Sequence, residues 1–213
     1  MKNRGVALVT GLLMLTAVTL LAVTAAGSMT LQQHQAANFT DKHRASERAA
    51  TAESWALAWL YSRSSHERSS ACLHDCILPT AVAGPGILPS RPEIETLGWW
   101  RSHAVPAAIE PSSGETVGFV SDEQEEGYWL IEEIHFELSV APAGIEGLGY
   151  YRILARGDGA APGSTAVSEA IVARPWGPGV APLAFPPDAL LNDFCEAVPD
   201  PVPCGIVAWR KRR

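Results

Sequence analysis

No aspartate or glutamate precedes Asp41, no cysteine precedes Cys72 and no proline precedes Pro79. The missing proline excludes an early break in any helix that starts near the amino terminus. The missing acids leave Lys2 and Arg4 as the only charged side chains before Asp41, histidine aside. The missing cysteines place all four thiols in the later part of the chain. Catalytic signatures are also absent. There is no His-Glu-x-x-His, no Gly-x-Ser-x-Gly and no glycine-rich loop at a helix start that would cradle phosphate. The chain reads as a non-enzyme that needs no cofactor.

What the front of the chain does have is one uncharged, mostly apolar run, Val6 to Ala26, directly behind Met1-Lys-Asn-Arg-Gly5. A secretory signal peptide has a shorter apolar core and then a small-x-small cleavage site. This run matches the roughly 20 residues that cross a bilayer as a helix, and no turn signal follows it. Beyond it, Gly27 to Arg63 is rich in alanine and helix-forming polar residues. From Ala45 the apolar positions step by three and four: Ala45, Ala49, Ala52, Ala56 (or Trp55), Trp59 and Leu60. That spacing predicts an amphipathic helix burying one face. The expected organisation is a cytoplasmic leader, 1–5; the membrane half of a long helix, 6–26; its amphipathic half, 27–63; and a globular head, 64–213. One helix from Val6 to about Ser62 would be about 85 Å long at 1.5 Å per residue.

Charge sets the expected orientation. Lys2 and Arg4 stay in the cytoplasm and the acidic bulk lies outside. From Gly27 to Trp209 ten basic residues face all 23 acidic ones, a formal −13. That balance excludes an extended nucleic-acid surface. The one basic cluster, Arg210-Lys-Arg-Arg213, is expected to be a frayed, solvated end. Four cysteines in a segment placed outside the cytoplasm read as two disulfides with three possible connectivities. Proximity favours Cys72 with Cys76 and Cys195 with Cys204; the alternative stitches the end of the helix to the C-terminal loop. A zinc reading of Cys72-Leu-His74-Asp-Cys76 needs a second ligand pair at close spacing. Cys195 and Cys204, nine residues apart, do not supply it, and no metal site is expected.

The junction Arg4-Gly5-Val6-Ala-Leu-Val, the run holding Leu12-Leu13 and Thr19-Leu-Leu21, and Ala37-Asn-Phe39-x-Asp41-x-x-Arg44-Ala45 resemble the N-terminus of PilX-type minor pilins of type IV pilus assembly. Tyr151-Arg-Ile153-Leu-Ala155-Arg-Gly157-x-Gly159 resembles the final strand pair of that family. The resemblance implies cutting by prepilin peptidase after Gly5 and methylation of the new terminus, Val6. It also draws attention to Thr10. Major pilins carry a glutamate as the fifth mature residue, where it compensates a neighbour's positive terminus. An unpaired charge in lipid costs several kcal/mol, so a subunit with threonine there is best tolerated at or near the filament tip, within a priming complex of minor pilins. The implied partners are other minor pilins and the major pilin through the helix, prepilin peptidase, and the inner-membrane assembly machinery. The implied location is the inner membrane, single-pass with the head periplasmic, and then the pilus. A K-type minor pseudopilin of type II secretion, an unprocessed signal-anchored periplasmic binding or scaffold protein, and an adhesin-like head are the rival readings.

The head reads as α+β and pilin-like, with the long helix packed on a small antiparallel sheet. Glu133 to Val140 alternates, with Ile134, Phe136, Leu138 and Val140 on the expected buried face. Gly149 to Arg156 and Thr165 to Ala173 follow as strands, joined by a turn at Gly157 to Gly163, which favours a meander. Trp176 to Arg213, with seven prolines, is expected to be loop. Trp99-Trp100 reads as packed aromatics. Asp122-Glu-Gln-Glu-Glu126 reads as a solvated turn rather than a calcium loop, and the scattered histidines, including His34, His43 and His135, as surface residues.

Overall fold

The computed structural model describes residues 4–64, 88–109, 127–138, 144–185 and 193–212. Helix α1 runs Arg4–Ser62. The chain divides into two compact units, Met1–Asp41 and Lys42–Arg213. In the first, α1 is the whole of the described structure. It contains no proline, and its hydroxyls turn back onto its own carbonyls. Thr16 Oγ1 donates to Leu13 O, Thr19 Oγ1 to Thr16 O and Thr24 Oγ1 to Leu20 O and Leu21 O, at 2.9–3.0 Å. Residues that would otherwise compete with the helix therefore join it.

In the second unit, α1 from Lys42 onward lies on a sheet of order β1-β2-β3-β4-β5, every neighbouring pair antiparallel. The strands are β1 Val105–Pro106, β2 Gly127–Leu138, β3 Gly147–Asp158, β4 Thr165–Trp176 and β5 Gly205–Arg212. A short helix, α2 (Leu97–His103), follows a 3-10 turn at Pro92–Ile94, and α3 (Asp193–Glu196) precedes β5. Thr96 caps α2, its hydroxyl accepting from Trp99 N.

The first half of β2 and strands β3 and β4 are buried on both faces. One face sets Trp129, Ile131, Tyr151, Ile153, Ala155, Ala170 and Val172 against Ala52, Ala56, Trp59 and Leu60 of α1. The other sets Tyr128, Leu130, Leu154 and Val167 against Leu88, Trp100 and Ala104. The helix stripe read from spacing is the buried one, with Ala56 rather than Trp55 at the ambiguous step. The Trp99-Trp100 pair packs as expected, Trp100 being fully buried.

Three expectations are corrected. β2 begins at Gly127, and its first six residues, Gly127–Glu132, are all buried. The alternating part, Glu133 onward, is instead its exposed extension, with Leu138 85 % exposed. Burial on both faces removes the period-two signal where the strand matters most. Second, Gly157 and Asp158 belong to β3, and the turn lies beyond them. Third, the C-terminal tail is not frayed. Arg210 and Arg212 sit in β5 and pair with Glu169 of β4, Arg210 at 2.7 Å. Arg212 also reaches Ser90 O at 2.9 Å. The pair β3–β4 is therefore not the last in the sheet. Cys72, Cys76, Val140 and the Asp122–Glu126 stretch lie outside the described residues.

Candidate functional site

Gly5, Val6 and Thr10 occupy the first two turns of α1, whose first turn carries no acidic residue. The helix holds a stretch of mean hydropathy 2.2 with none of it buried. Leu8, Leu12, Leu13, Met14, Leu15, Val18, Leu20 and Leu21 are each more than 60 % exposed, and they point all round the helix. At about 1.5–3 kcal/mol per large apolar side chain, leaving these eight in water costs on the order of 15 kcal/mol. Lipid or other apolar helices would relieve that cost. The hydroxyl bonding described above suits the same environment, because a polar side chain in hydrocarbon must be satisfied within its own helix or by a neighbour. Gly11 and Gly27 have no atom within 4 Å of where a Cβ would stand, so both leave room for close approach by another helix.

The other end of α1 is fixed in the head by four devices. The first is a glycine pair. Gly127 and Gly157 oppose each other across β2 and β3. A Cβ on Gly157 would stand 2.2 Å from Ala45 O and 2.4 Å from Ala49 N. Helix backbone and strand backbone therefore touch through Ala45, Ala49 and Ala52, which are 0–2 % exposed. The second is Glu53, 7 % exposed, whose Oε2 accepts from Ser168 Oγ at 2.5 Å and from Trp209 Nε1 at 3.1 Å. It joins α1 to β4 and β5.

Third, Arg174 closes the helix C-terminus. Its guanidinium is buried, donates to Leu60 O and Arg63 O, and lies 3.6 Å from the Trp176 ring centroid. A cation there satisfies the last carbonyls and meets the negative end of the helix dipole. The fourth is the Cys195–Cys204 disulfide, of the local kind favoured from proximity. It closes the loop directly after Phe194 of α3, which stacks on Tyr61 with centroids 4.3 Å apart. Burial pushes the Tyr61 hydroxyl up to about 12, against the opposing pull of Arg174.

Glu53 and Arg174 were not among the residues singled out from the sequence, and Gly157 was read only as part of the Tyr151–Gly159 motif and the start of a turn, not as a contact with α1. The only local hint is the cation set inside Ala173-Arg174-Pro175-Trp176. Their roles depend on contacts more than 100 residues away in the chain. Among the described residues no group of three or more histidine, cysteine, aspartate or glutamate side chains is placed to hold a metal ion.

A long helix, apolar at its start and packed on an antiparallel sheet at its end, is the architecture of a pilin. The family model described as PilX N-terminal matches residues 4–54. That match supports a PilX-type pilin N-terminal domain over those residues, and with it a pilin related to type IV pili. The match takes in Gly5, Val6 and Thr10 and runs into the buried stripe as far as Glu53; the sheet lies beyond it. No curated protein and no solved structure matches the chain. PilX pilins are structural proteins, and the apolar helix near the amino terminus fits a membrane-anchored pilus component.

Proposed function

We propose that this chain is a minor pilin that is held in the inner membrane by α1, with Lys2 and Arg4 in the cytoplasm and the head in the periplasm. Prepilin peptidase cuts after Gly5, Val6 becomes the methylated terminus, and the subunit then enters a type IV pilus at or near its tip as part of a priming complex. The observation that carries this reading is the single helix Arg4–Ser62, bare and apolar over its first part and buried against a sheet in its last. Such a helix is stable in lipid before assembly and among other pilin helices afterwards, and nothing in the head must refold between the two. The glutamate that major pilins carry at the fifth mature residue is absent: Thr10, exposed on the second turn, supplies no carboxylate for a neighbour's terminus. That supports a terminal place over an interior one.

The K-type pseudopilin reading gains no support from the head. Apart from α1, the α-helices among the described residues are seven and four residues long. Prepilin peptidase, the other minor pilins, the major pilin and the inner-membrane machinery are the partners this reading requires. Its test is Thr10→Glu in the full-length chain. We expect altered pilus number and altered recovery of the minor-pilin complex. Unchanged pili and an unchanged complex would remove the basis for the tip assignment.

A further inference from the structure

We propose that the Cys195–Cys204 disulfide is a redox-operated clasp on the last turn of α1. A dithiol opens it in the folded head, α3 and the start of β5 then release the helix end, and the rest of the sheet stays paired. The inference rests on the head alone and is independent of how α1 is processed or where the subunit sits in a filament.

The bond is reachable. Both cysteines are partly exposed, and with Leu57 and Tyr61 of α1 and Ile206 of β5 they line a groove of about 490 Å³. A thiolate must touch a disulfide sulfur to exchange with it, and a sulfur in a groove wall is touched without unfolding. The bond also sits where little else holds. Trp209, Arg210 and Arg212 tie the later half of β5 to Glu53, Glu169 and Glu93. The earlier half, residues 205–208, has no polar side chain, and its ladder with β4 is interrupted by a register shift between Ile171 and Val172. Ile206 and Val207 are 47 and 52 % exposed. The Cys204 sulfur, one residue ahead of the strand, is its covalent hold. On the other side of the bond, Phe194 of α3 stacks on Tyr61, and its ring centroid lies 5.4 Å from the guanidinium of Arg174, the cap of α1.

Opening takes two exchanges. One thiolate of the dithiol attacks a protein sulfur, forms a mixed disulfide and expels the other cysteine as a thiolate. The reagent's second thiol then displaces the first protein sulfur. Two electrons and two protons pass from the reagent to Cys195 and Cys204, and the reagent leaves as a disulfide. An oxidising compartment keeps the clasp shut and a reducing one keeps it open, so the helix end is fully gripped only where the head meets an oxidant.

The test uses the full chain in detergent micelles with Cys72→Ser and Cys76→Ser, so that Cys195 and Cys204 are the remaining cysteines, and dithiothreitol as the dithiol. Alkylation of freed thiols reports opening, and amide exchange reports what it releases. We expect opening without denaturant, exchange across 205–208 faster by about tenfold or more, and exchange across 127–132 and 209–212 within about twofold of the oxidised chain. The Tyr61 hydroxyl, held up to about 12 by burial, should move down toward the ordinary phenol value of about 10. The same pattern is expected in the native chain, where mass spectrometry assigns alkylation to Cys195 and Cys204. Cys195→Ser with Cys204→Ser should reproduce the open pattern and ignore dithiothreitol. A bond that opens only in denaturant that unfolds the head would overturn the proposal, because it would be sealed. So would faster exchange across the whole sheet, which would make the bond a staple of the entire fold. Unchanged exchange across 205–208 would overturn it as well, since β5 would then hold itself.

Discussion

Gly157 shows how much one missing atom can decide. The helix backbone at Ala45 and Ala49 rests on the strand where a side chain would begin, and neither backbone can yield without moving the elements that carry it. Gly157→Ala is expected to destabilise the head by about 3 kcal/mol or more, at the upper end of overpacking costs, read from denaturant midpoints. Tyr61 gives a pH signature. A phenol ionises near 10 when unfolded, whereas here burial holds it to about 12. The folded state therefore keeps the proton that the unfolded state loses. The stabilisation is full below pH 10 and is lost as pH rises from 10 to about 12, a decline of on the order of 2 kcal/mol. Alkaline unfolding of the native chain should steepen in that window, and Tyr61→Phe should flatten it relative to the native chain.

At the scale of elements, legibility followed the range of the interactions. The α1 helix was readable because its evidence is local: no proline, one apolar run, then alanines at helical spacing. The buried half of β2 was not, because Tyr128, Trp129, Leu130 and Ile131 pack on opposite faces in turn and leave an unbroken apolar run with no alternation to detect. The alternation at Glu133–Leu138 was real but belongs to an exposed extension. The β5 strand was hidden by the prolines before it and the charges at its end, which acquire a purpose only when Glu169 is brought alongside. The glycine contact, Glu53 and Arg174 are likewise products of the fold. Two substitutions separate the true core from the apparent one. Leu154→Ala, at a fully buried site, should cost about 2–5 kcal/mol. Leu138→Ser should stay within about 0.5 kcal/mol, both by thermal or chemical unfolding of the full chain.

For the whole molecule, one helix serves two solvents. Its start is too apolar for water, and its end is held to the sheet by alanine–glycine contact, the buried Glu53, the Arg174 cap and the Cys195–Cys204 loop. The family match at 4–54 covers that first part and the start of the anchorage, and ends before the sheet. The account depends on the helix being kept while the leader is lost. Mass spectrometry of the amino-terminal peptide from the membrane-bound protein tests this most directly. A mature chain beginning at N-methylated Val6 is the expected result; a chain that keeps Met1, or one cut beyond Ala26 so that the head is released, would contradict it.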